Sequence, residues 1–211
     1  MKTTIKTIAF VAILALSFSA CKKDKKTDPI VDTPPPPVNL PEVITTMKLA
    51  IFDGTTTVNY MFKDPDGDGG LAAYYGNLST GATQGDSVIN LAINKTYTVN
   101  VLLLDETKAV TDTISKAVLD EGVDHLFFFN ATNPTGNPYS VYLTGSMTTI
   151  TYLDLDANLR GIGLLTKWQA PSMAMAKSTI TVSLKHQPGV KNGTYAPGDT
   201  DIEIPFKLKI N

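Results

Sequence analysis

The sequence predicts an all-β fold, on the basis of three observations. Apolar and polar residues alternate with a period of two in roughly ten short runs, as they do in strands that bury one face. Clusters of Asp, Asn, Gly and Pro separate these runs. No segment sustains a 3.6-residue period, although residues 111–121 have the spacing of one or two helical turns. Strands at this spacing are typical of an antiparallel two-sheet sandwich, immunoglobulin-like, with a partly closed barrel as the alternative.

Residues 1–20 have the features of a bacterial lipoprotein signal peptide. Lys2 and Lys6 precede an apolar run of about a dozen residues, and small residues follow it directly before Cys21, the only cysteine. The run is too short for a membrane-spanning helix, which needs about 20 residues, and an ordinary secretory signal does not require a cysteine at the cleavage point. The sequence therefore predicts cleavage before Cys21 and lipid attachment to this residue, which would anchor the mature chain in a membrane.

Residues 21–42 contain the lipidated cysteine and a Lys- and Pro-rich tether. Four lysines flank Asp24, and residues 34–37 are consecutive prolines. Because proline fixes φ and favours the extended polyproline II conformation, this segment is expected to be a semi-rigid spacer. It leads into residues 43–211, which are long enough for one sizeable core and contain no further linker, so a single β-sandwich domain is predicted.

Within this domain the strands follow one another at short intervals. The clearest alternation covers residues 46–51, 57–62, 97–103, 179–184 and 202–210, and weaker strands are predicted at 88–93, 126–129, 140–144, 148–154 and 162–168. In the last of the clear runs, Ile204 and Phe206 alternate with Glu203 and Lys207. Pro205 lies on the outward face of this run and has no N–H group, which predicts a strand at the edge of its sheet.

The charge balance argues against nucleic acid as a partner. The chain has 18 Lys and Arg residues against 20 Asp and Glu residues, and residues 1–20 contribute two of the lysines and no acidic residue. The mature chain is therefore mildly acidic and lacks the basic stripe that binding to a phosphate backbone requires.

One loop has a pattern of acidic residues that suits calcium. Asp64, Asp66 and Asp68 alternate with Pro and Gly, and hard carboxylate oxygens at such positions converge on Ca²⁺ when a glycine allows a sharp turn. The match to an EF-hand loop is partial, because Tyr75 occupies the position of the bidentate glutamate. Residues 154–158 repeat the pattern more weakly. Both loops are also explained as strand connections, in which Asp, Asn and Gly are favoured for their turn conformations.

The two histidines, His125 and His186, are the remaining candidates for catalysis or transition-metal binding. No sequence motif places either of them beside a nucleophile or in a zinc site, and Cys21 is assigned to lipid. We expect the two histidines to form hydrogen bonds at strand ends. Metal ligation by both, as in a metal-assisted hydrolase, is the alternative.

Aromatic side chains provide two candidate ligand surfaces. Residues 127–129 are consecutive phenylalanines, so one strand presents an aromatic ring to each face. Trp168 and several tyrosines offer a platform for a glycan or a protein on the same grounds; the tyrosines are Tyr74, Tyr75, Tyr139 and Tyr142. Packing in the core and at sheet edges is the preferred interpretation of these residues.

Four segments together resemble a family of Bacteroidota lipoproteins often labelled "type 1 periplasmic binding fold superfamily protein". They are residues 42–46, 62–70, 124–129 and 184–189, and the resemblance extends over nearly all of the mature chain. It implies a lipoprotein and assigns no catalytic residue. The label also implies alternating parallel strands and helices, whereas the period-two pattern of this chain predicts an all-β fold, and we follow the pattern.

These observations lead to a functional prediction. The chain is expected to be a lipid-anchored, non-enzymatic binding or surface-interaction module of the cell envelope. Its ligand is not identified by the sequence, with a protein or a glycan as the candidates; a metal-assisted hydrolase and a structural envelope protein are the alternatives. Anchoring in the outer membrane through Cys21 is expected. The basic segment that follows Cys21 favours the periplasmic side, with display at the cell surface as the other option.

Overall fold

The strands of the domain form two separate sheets. The computed structural model describes residues 42–67, 70–80, 87–132 and 149–211. The strands are β1 (Thr46–Phe52), β2 (Thr57–Lys63), β3 (Tyr74–Asn77), β4 (Val88–Leu91), β5 (Thr96–Leu104), β6 (His125–Thr132), β7 (Thr149–Tyr152), β8 (Leu165–Gln169), β9 (Met175–His186) and β10 (Asp199–Ile210). A short helix, α1 (Ile114–Asp120), lies between β5 and β6.

The order of the strands confirms the predicted all-β sandwich. One sheet has six strands in the order β3-β2-β1-β5-β8-β7, and the other has four in the order β4-β10-β9-β6. Neighbouring strands are antiparallel except for β4 and β10, which run parallel. The parallel pair joins segments more than a hundred residues apart, and sequence periodicity carries no information about such pairing.

The core lies between the two sheets and is formed by alternate residues of their strands. Phe127, Trp168 and Phe206 are among its largest fully buried side chains. The Trp168 indole N–H donates to Thr166 Oγ1 at 2.9 Å, so its one polar group is satisfied inside the core. Helix α1 adds Ile114 and Val118 to the same cluster, which explains the helical spacing of this segment.

Two features of the strands differ from the sequence prediction. Strand β3 was not predicted, because its four residues include Gly76 and show no alternation. Pro205 was expected to mark an edge strand, and this is wrong for the strand as a whole, since β10 lies between β4 and β9. The pairing with β4 begins only at Lys207, however, so Pro205 lies where β10 has no described neighbour on that side.

Several sequence predictions concern residues outside the described part of the chain. These are the signal peptide, Cys21 and the tether, the strand at 140–144, the third aspartate of the calcium loop (Asp68), and the tyrosines Tyr139 and Tyr142. Among the described residues, no helix has the length and apolar character needed to cross a bilayer.

Candidate functional site

The described carboxylates of the predicted calcium loop bind the backbone of that loop. Asp64 Oδ1 accepts the N–H of Gly67 at 3.3 Å, and Asp66 Oδ2 accepts the N–H of Leu71 at 2.6 Å. Burial raises the pKa of Asp66, but the hydrogen bonds that it accepts outweigh burial, and the net pKa lies below its usual value. Gly67 has a φ of +73°, as a sharp turn requires. Asp68, the third predicted ligand, lies outside the described residues, so the calcium site stays a prediction.

The second acidic loop already holds a cation, the ammonium group of a lysine. Asp154 accepts the N–H groups of Gly163 and Leu165 at 2.9 and 3.0 Å. Asp156 accepts two backbone N–H groups of its own loop through Oδ1, and its Oδ2 lies 2.8 Å from Lys191 Nζ. These partners account for both carboxylates, so the loop has the interactions of a structural turn.

The two histidines lie directly opposite each other in the pairing of β6 with β9. Their rings stack, with centroids 4.8 Å apart and an interplanar angle of 24°. His125 Nε2 lies 3.8 Å from Asp201 Oδ2, and His125 Nδ1 lies 3.2 Å from the carbonyl oxygen of Glu121. Burial lowers the pKa of His125 and raises the pKa of Asp201, so burial opposes the charged form of both groups.

This histidine pair does not have the geometry of a metal site. Near-parallel rings direct their nitrogen lone pairs along separate planes instead of toward one point. Within the described ranges, no group of three or more His, Cys, Asp or Glu side chains is arranged to hold a metal ion. The expected strand-end hydrogen bond is present for His125, whose Nδ1 lies 3.2 Å from the carbonyl oxygen of Glu121.

An acidic cleft of about 330 Å³ adjoins the histidine pair at Asp201. Glu42 and Asp64 also contribute to it, above an apolar floor that includes Phe62 and Ile204. Burial raises the pKa of Glu42, and the nearby acidic side chains raise it further. The cleft thus collects carboxyl groups from the segment before β1, from the residue after β2 and from β10.

The aromatic residues predicted from the sequence divide between the core and the outer face of the four-stranded sheet. Phe127 and Phe129 point inward, and Phe129 and Trp168 make an edge-to-face contact with ring centroids 5.5 Å apart. Trp168 is fully buried, so the hypothesis that it belongs to a ligand platform is wrong. Phe128 points outward but is also buried, and the ring of Tyr195 packs against it at 5.2 Å. The preferred core role is confirmed for Phe127, Phe129 and Trp168.

A polar pocket of about 230 Å³ lies on the outer face of the four-stranded sheet. It is lined by Phe128, Phe129, Asn130, Thr181, Ser183, Tyr195 and Glu203. The register places its residues in rows across three strands, with Phe128 opposite Ser183 and Ser183 opposite Glu203. Because alternate residues of a strand point to the same face, the polar positions of β6, β9 and β10 meet in this pocket.

Hydrogen bonds inside the pocket converge on one carboxylate oxygen. Ser183 Oγ donates to Glu203 Oε2 at 2.9 Å, and the hydroxyl of Tyr195 donates to the same atom at 2.8 Å. Glu203 itself is an exposed residue of β10. Asn130 Oδ1 is buried and has no hydrogen-bonding partner in the described part of the chain. The pocket therefore presents one buried acceptor that lacks a donor, and beside it an exposed carboxylate that can accept further hydrogen bonds.

Two side chains of opposite charge contact Tyr195, one at its ring and one at its hydroxyl group. The ammonium group of Lys185 lies 4.9 Å from the ring centroid, and the carboxylate of Glu203 accepts its hydroxyl. Lys185 Nζ also donates to Gly198 O at 2.9 Å and Thr200 Oγ1 at 3.1 Å. Burial raises the pKa of Tyr195, and so does the hydrogen bond to Glu203, which keeps the phenol protonated as a donor.

The loop that carries Tyr195, residues 187–198, is held in one conformation by Gln187. This side chain is fully buried, and its Nε2 donates to Thr194 O at 2.9 Å and to Pro197 O at 2.8 Å. The backbone N–H of Gln187 donates to Asp124 O at 2.6 Å, which joins the loop to the segment before β6. A loop tied by internal hydrogen bonds can present Tyr195 in a fixed position.

A buried ion pair fixes the base of this loop. Lys191 Nζ lies 2.8 Å from Asp156 Oδ2 and donates to Gly122 O at 2.7 Å. The side chains of Lys191 and Asp156 are 1% and 0% exposed. Three segments distant in sequence therefore meet at one ammonium group.

Sequence reasoning did not single out Asn130, Tyr195 or Glu203 as site residues. Glu203 was recognised only as an outward position of its strand, and Tyr195 lies in a Gly- and Pro-rich segment that resembles an ordinary connection. The sequence feature that could have indicated the pocket is the pair of outward polar residues on β9, Thr181 and Ser183. This pair points to a site only when the strand order β10-β9-β6 is known.

No family model, curated protein or solved structure matches this chain. The α/β fold that the resemblance to the lipoprotein family implies is not the fold of the domain, in which α1 is the one helix among the described residues.

Proposed function

We propose that this chain is a lipid-anchored lipoprotein of the cell envelope whose β-sandwich acts as a non-enzymatic binding module. The observation that carries the proposal is the outer-face pocket, where polar groups from three strands meet a tyrosine on an internally bonded loop. A concave site with a few convergent polar groups and a rigid frame is the usual form of a small-ligand site.

The anchor rests on the sequence. The charged and apolar segments before Cys21 support signal cleavage and acylation, and the tether that follows would hold the sandwich away from the bilayer. We place the lipid in the outer membrane and favour the periplasmic side, because the residues directly after Cys21 are mainly lysines. Display at the cell surface is the competing location.

Metabolic labelling with an alkyne-tagged fatty acid tests the anchor. The full chain, produced in a bacterial host, should incorporate the label and fractionate with membranes, whereas Cys21→Ser should remain unlabelled and soluble. Label in the Cys21→Ser variant, or none in the wild type, would contradict the anchor.

Protease treatment of intact cells then distinguishes the two faces of the outer membrane. The periplasmic assignment predicts that the domain survives until the outer membrane is permeabilised. Loss of the domain from intact cells would establish surface display instead.

The metal-assisted hydrolase remains the second hypothesis, and the observed geometry does not favour it. It would need His125 and His186 to share an ion, and their rings are stacked. Binding through the pocket has the stronger structural support.

A further inference from the structure

The hydrogen-bond acceptors of the outer-face pocket indicate which donor groups a ligand would supply. Asn130 Oδ1 is buried without a partner in the described part of the chain, whereas Glu203 is exposed and accepts two protein donors at Oε2. A buried acceptor that lacks a donor costs about 1–3 kcal/mol. A ligand that donates an O–H or N–H group to Asn130 Oδ1 would remove this cost, and a second donor group could bind the carboxylate of Glu203.

The charges of the pocket select against an ionic ligand. The ammonium group of Lys185 lies against the ring of Tyr195, where it disfavours a second cation at that aromatic face. The carboxylate of Glu203 in turn repels an anionic ligand. Glu203 would attract a cationic ligand, but the positive charge of Lys185 offsets this attraction. A neutral ligand with several hydroxyl groups meets these conditions.

The volume of the pocket and the ring of Tyr195 restrict the class of ligand further. The volume of about 230 Å³ lies below the usual range for drug-sized ligands, about 300–1,000 Å³, so it suits one ring instead of an extended chain. Tyr195 supplies an aromatic surface with a polar end, which complements a ring that has an apolar C–H face and hydroxyl edges. The hydroxyl groups of Thr181 and Ser183 also line this space.

We propose that the outer-face pocket binds a neutral saccharide, as a single pyranose or as the terminal ring of a glycan. Asn130 and Glu203 accept hydrogen bonds from the sugar hydroxyls, and Tyr195 packs against the ring. This inference rests on the proposed binding function and specifies its ligand class.

Saturation-transfer NMR tests the ligand class. The full chain is purified in a detergent without a sugar headgroup and mixed with millimolar methyl pyranosides of glucose, galactose, mannose and N-acetylglucosamine. Saturation transfer to at least one of them is expected. Parallel samples contain a lysine-rich peptide and inorganic phosphate, which report binding by charge.

Two variants test the position of the site. Asn130→Leu should weaken pyranoside binding by about tenfold or more, because it removes a buried acceptor, and Glu203→Gln should weaken binding to a smaller extent, because it removes the charge of an exposed acceptor. Lys209→Gln is the matched control, since Lys209 is an exposed residue of the same strand that does not line the pocket, and it should bind as the wild type does. The fluorescence of Trp168 verifies that each variant is folded.

The outcomes separate this inference from the proposed function. Pyranoside binding that is unchanged in Glu203→Gln and Asn130→Leu would overturn the assignment of the pocket. Binding of only the peptide or phosphate would overturn the saccharide class and leave a binding module. If no probe binds, the saccharide proposal fails, while labelling at Cys21 still decides the anchor independently.

Discussion

Removing the ammonium group of Lys191 should destabilise the protein strongly. In Lys191→Met, a chain of similar length keeps the apolar packing of the lysine stem but leaves the Asp156 carboxylate buried without its cation. Breaking a buried pair by removing one partner typically costs about 3–5 kcal/mol, because the remaining charge is uncompensated.

The burial of both side chains makes this range applicable to the pair. Both side chains are almost completely buried, and the same ammonium group also satisfies the carbonyl oxygen of Gly122. Burial raises the pKa of Asp156, but its hydrogen bonds, the one from Lys191 first among them, outweigh burial and keep the carboxyl group ionised. For a domain of this size the loss corresponds to a decrease of the melting temperature on the order of 10 °C.

Urea unfolding followed by Trp168 fluorescence measures the effect, since Trp168 is the only tryptophan and is fully buried. Lys116→Met is the matched control, because Lys116 pairs with Asp120 on the exposed face of α1 and such pairs contribute about 0.5 kcal/mol or less. Adding Asp156→Asn to Lys191→Met should cost less than the sum of the single changes. A loss of stability in Lys191→Met no larger than in Lys116→Met would mean that the buried pair contributes no more than an exposed one.

Three further predictions follow from other parts of the molecule. Burial lowers the pKa of His125, so the unfolded state takes up its proton first; stability should fall below about pH 6.5 by up to about 1.4 kcal/mol per pH unit, and His125→Asn should flatten this dependence of the urea midpoint. Gly198→Ala should lower the melting temperature more than Gly193→Ala. Both glycines have positive φ, but a Cβ at Gly198 would lie 2.1 Å from a carbonyl oxygen, whereas Gly193 has nothing within 4 Å. If the first acidic loop binds calcium, millimolar Ca²⁺ at about ten times Kd should raise the melting temperature by about 3–5 °C, and Asp66→Ala or Asp68→Ala should abolish the increase; no increase in the wild type would mean that the loop is only a turn.

The alternation of single strands was enough to predict the fold class. In β10, Ile204, Phe206, Leu208 and Ile210 are buried and the residues between them are exposed, as their period of two requires. The same rule assigned β1 and β5, because each buries one face against the opposite sheet. Helix α1 could be recognised from the spacing of the residues that it buries.

The site could not be predicted, because it depends on contacts between distant segments. Glu203 and Asn130 are separated by more than seventy residues, and the strand between them in the sheet, β9, decides that they share a pocket. Asp156 was interpreted as a potential calcium ligand from its neighbours, whereas its cation is Lys191, 35 positions away. Local patterns identify the residue types, and the strand order decides their partners.

Hydrogen–deuterium exchange of the full chain is the most direct test that the outer-face pocket is the binding site. The measurement compares the free protein with the protein at a saturating concentration of the pyranoside that shows the strongest saturation transfer. Binding in the pocket should slow exchange in the loop of residues 187–198 and in the adjoining parts of β9 and β10, with little change in the six-stranded sheet. Protection confined to the acidic cleft around Asp201, or no protection at saturation, would exclude the pocket as the binding site.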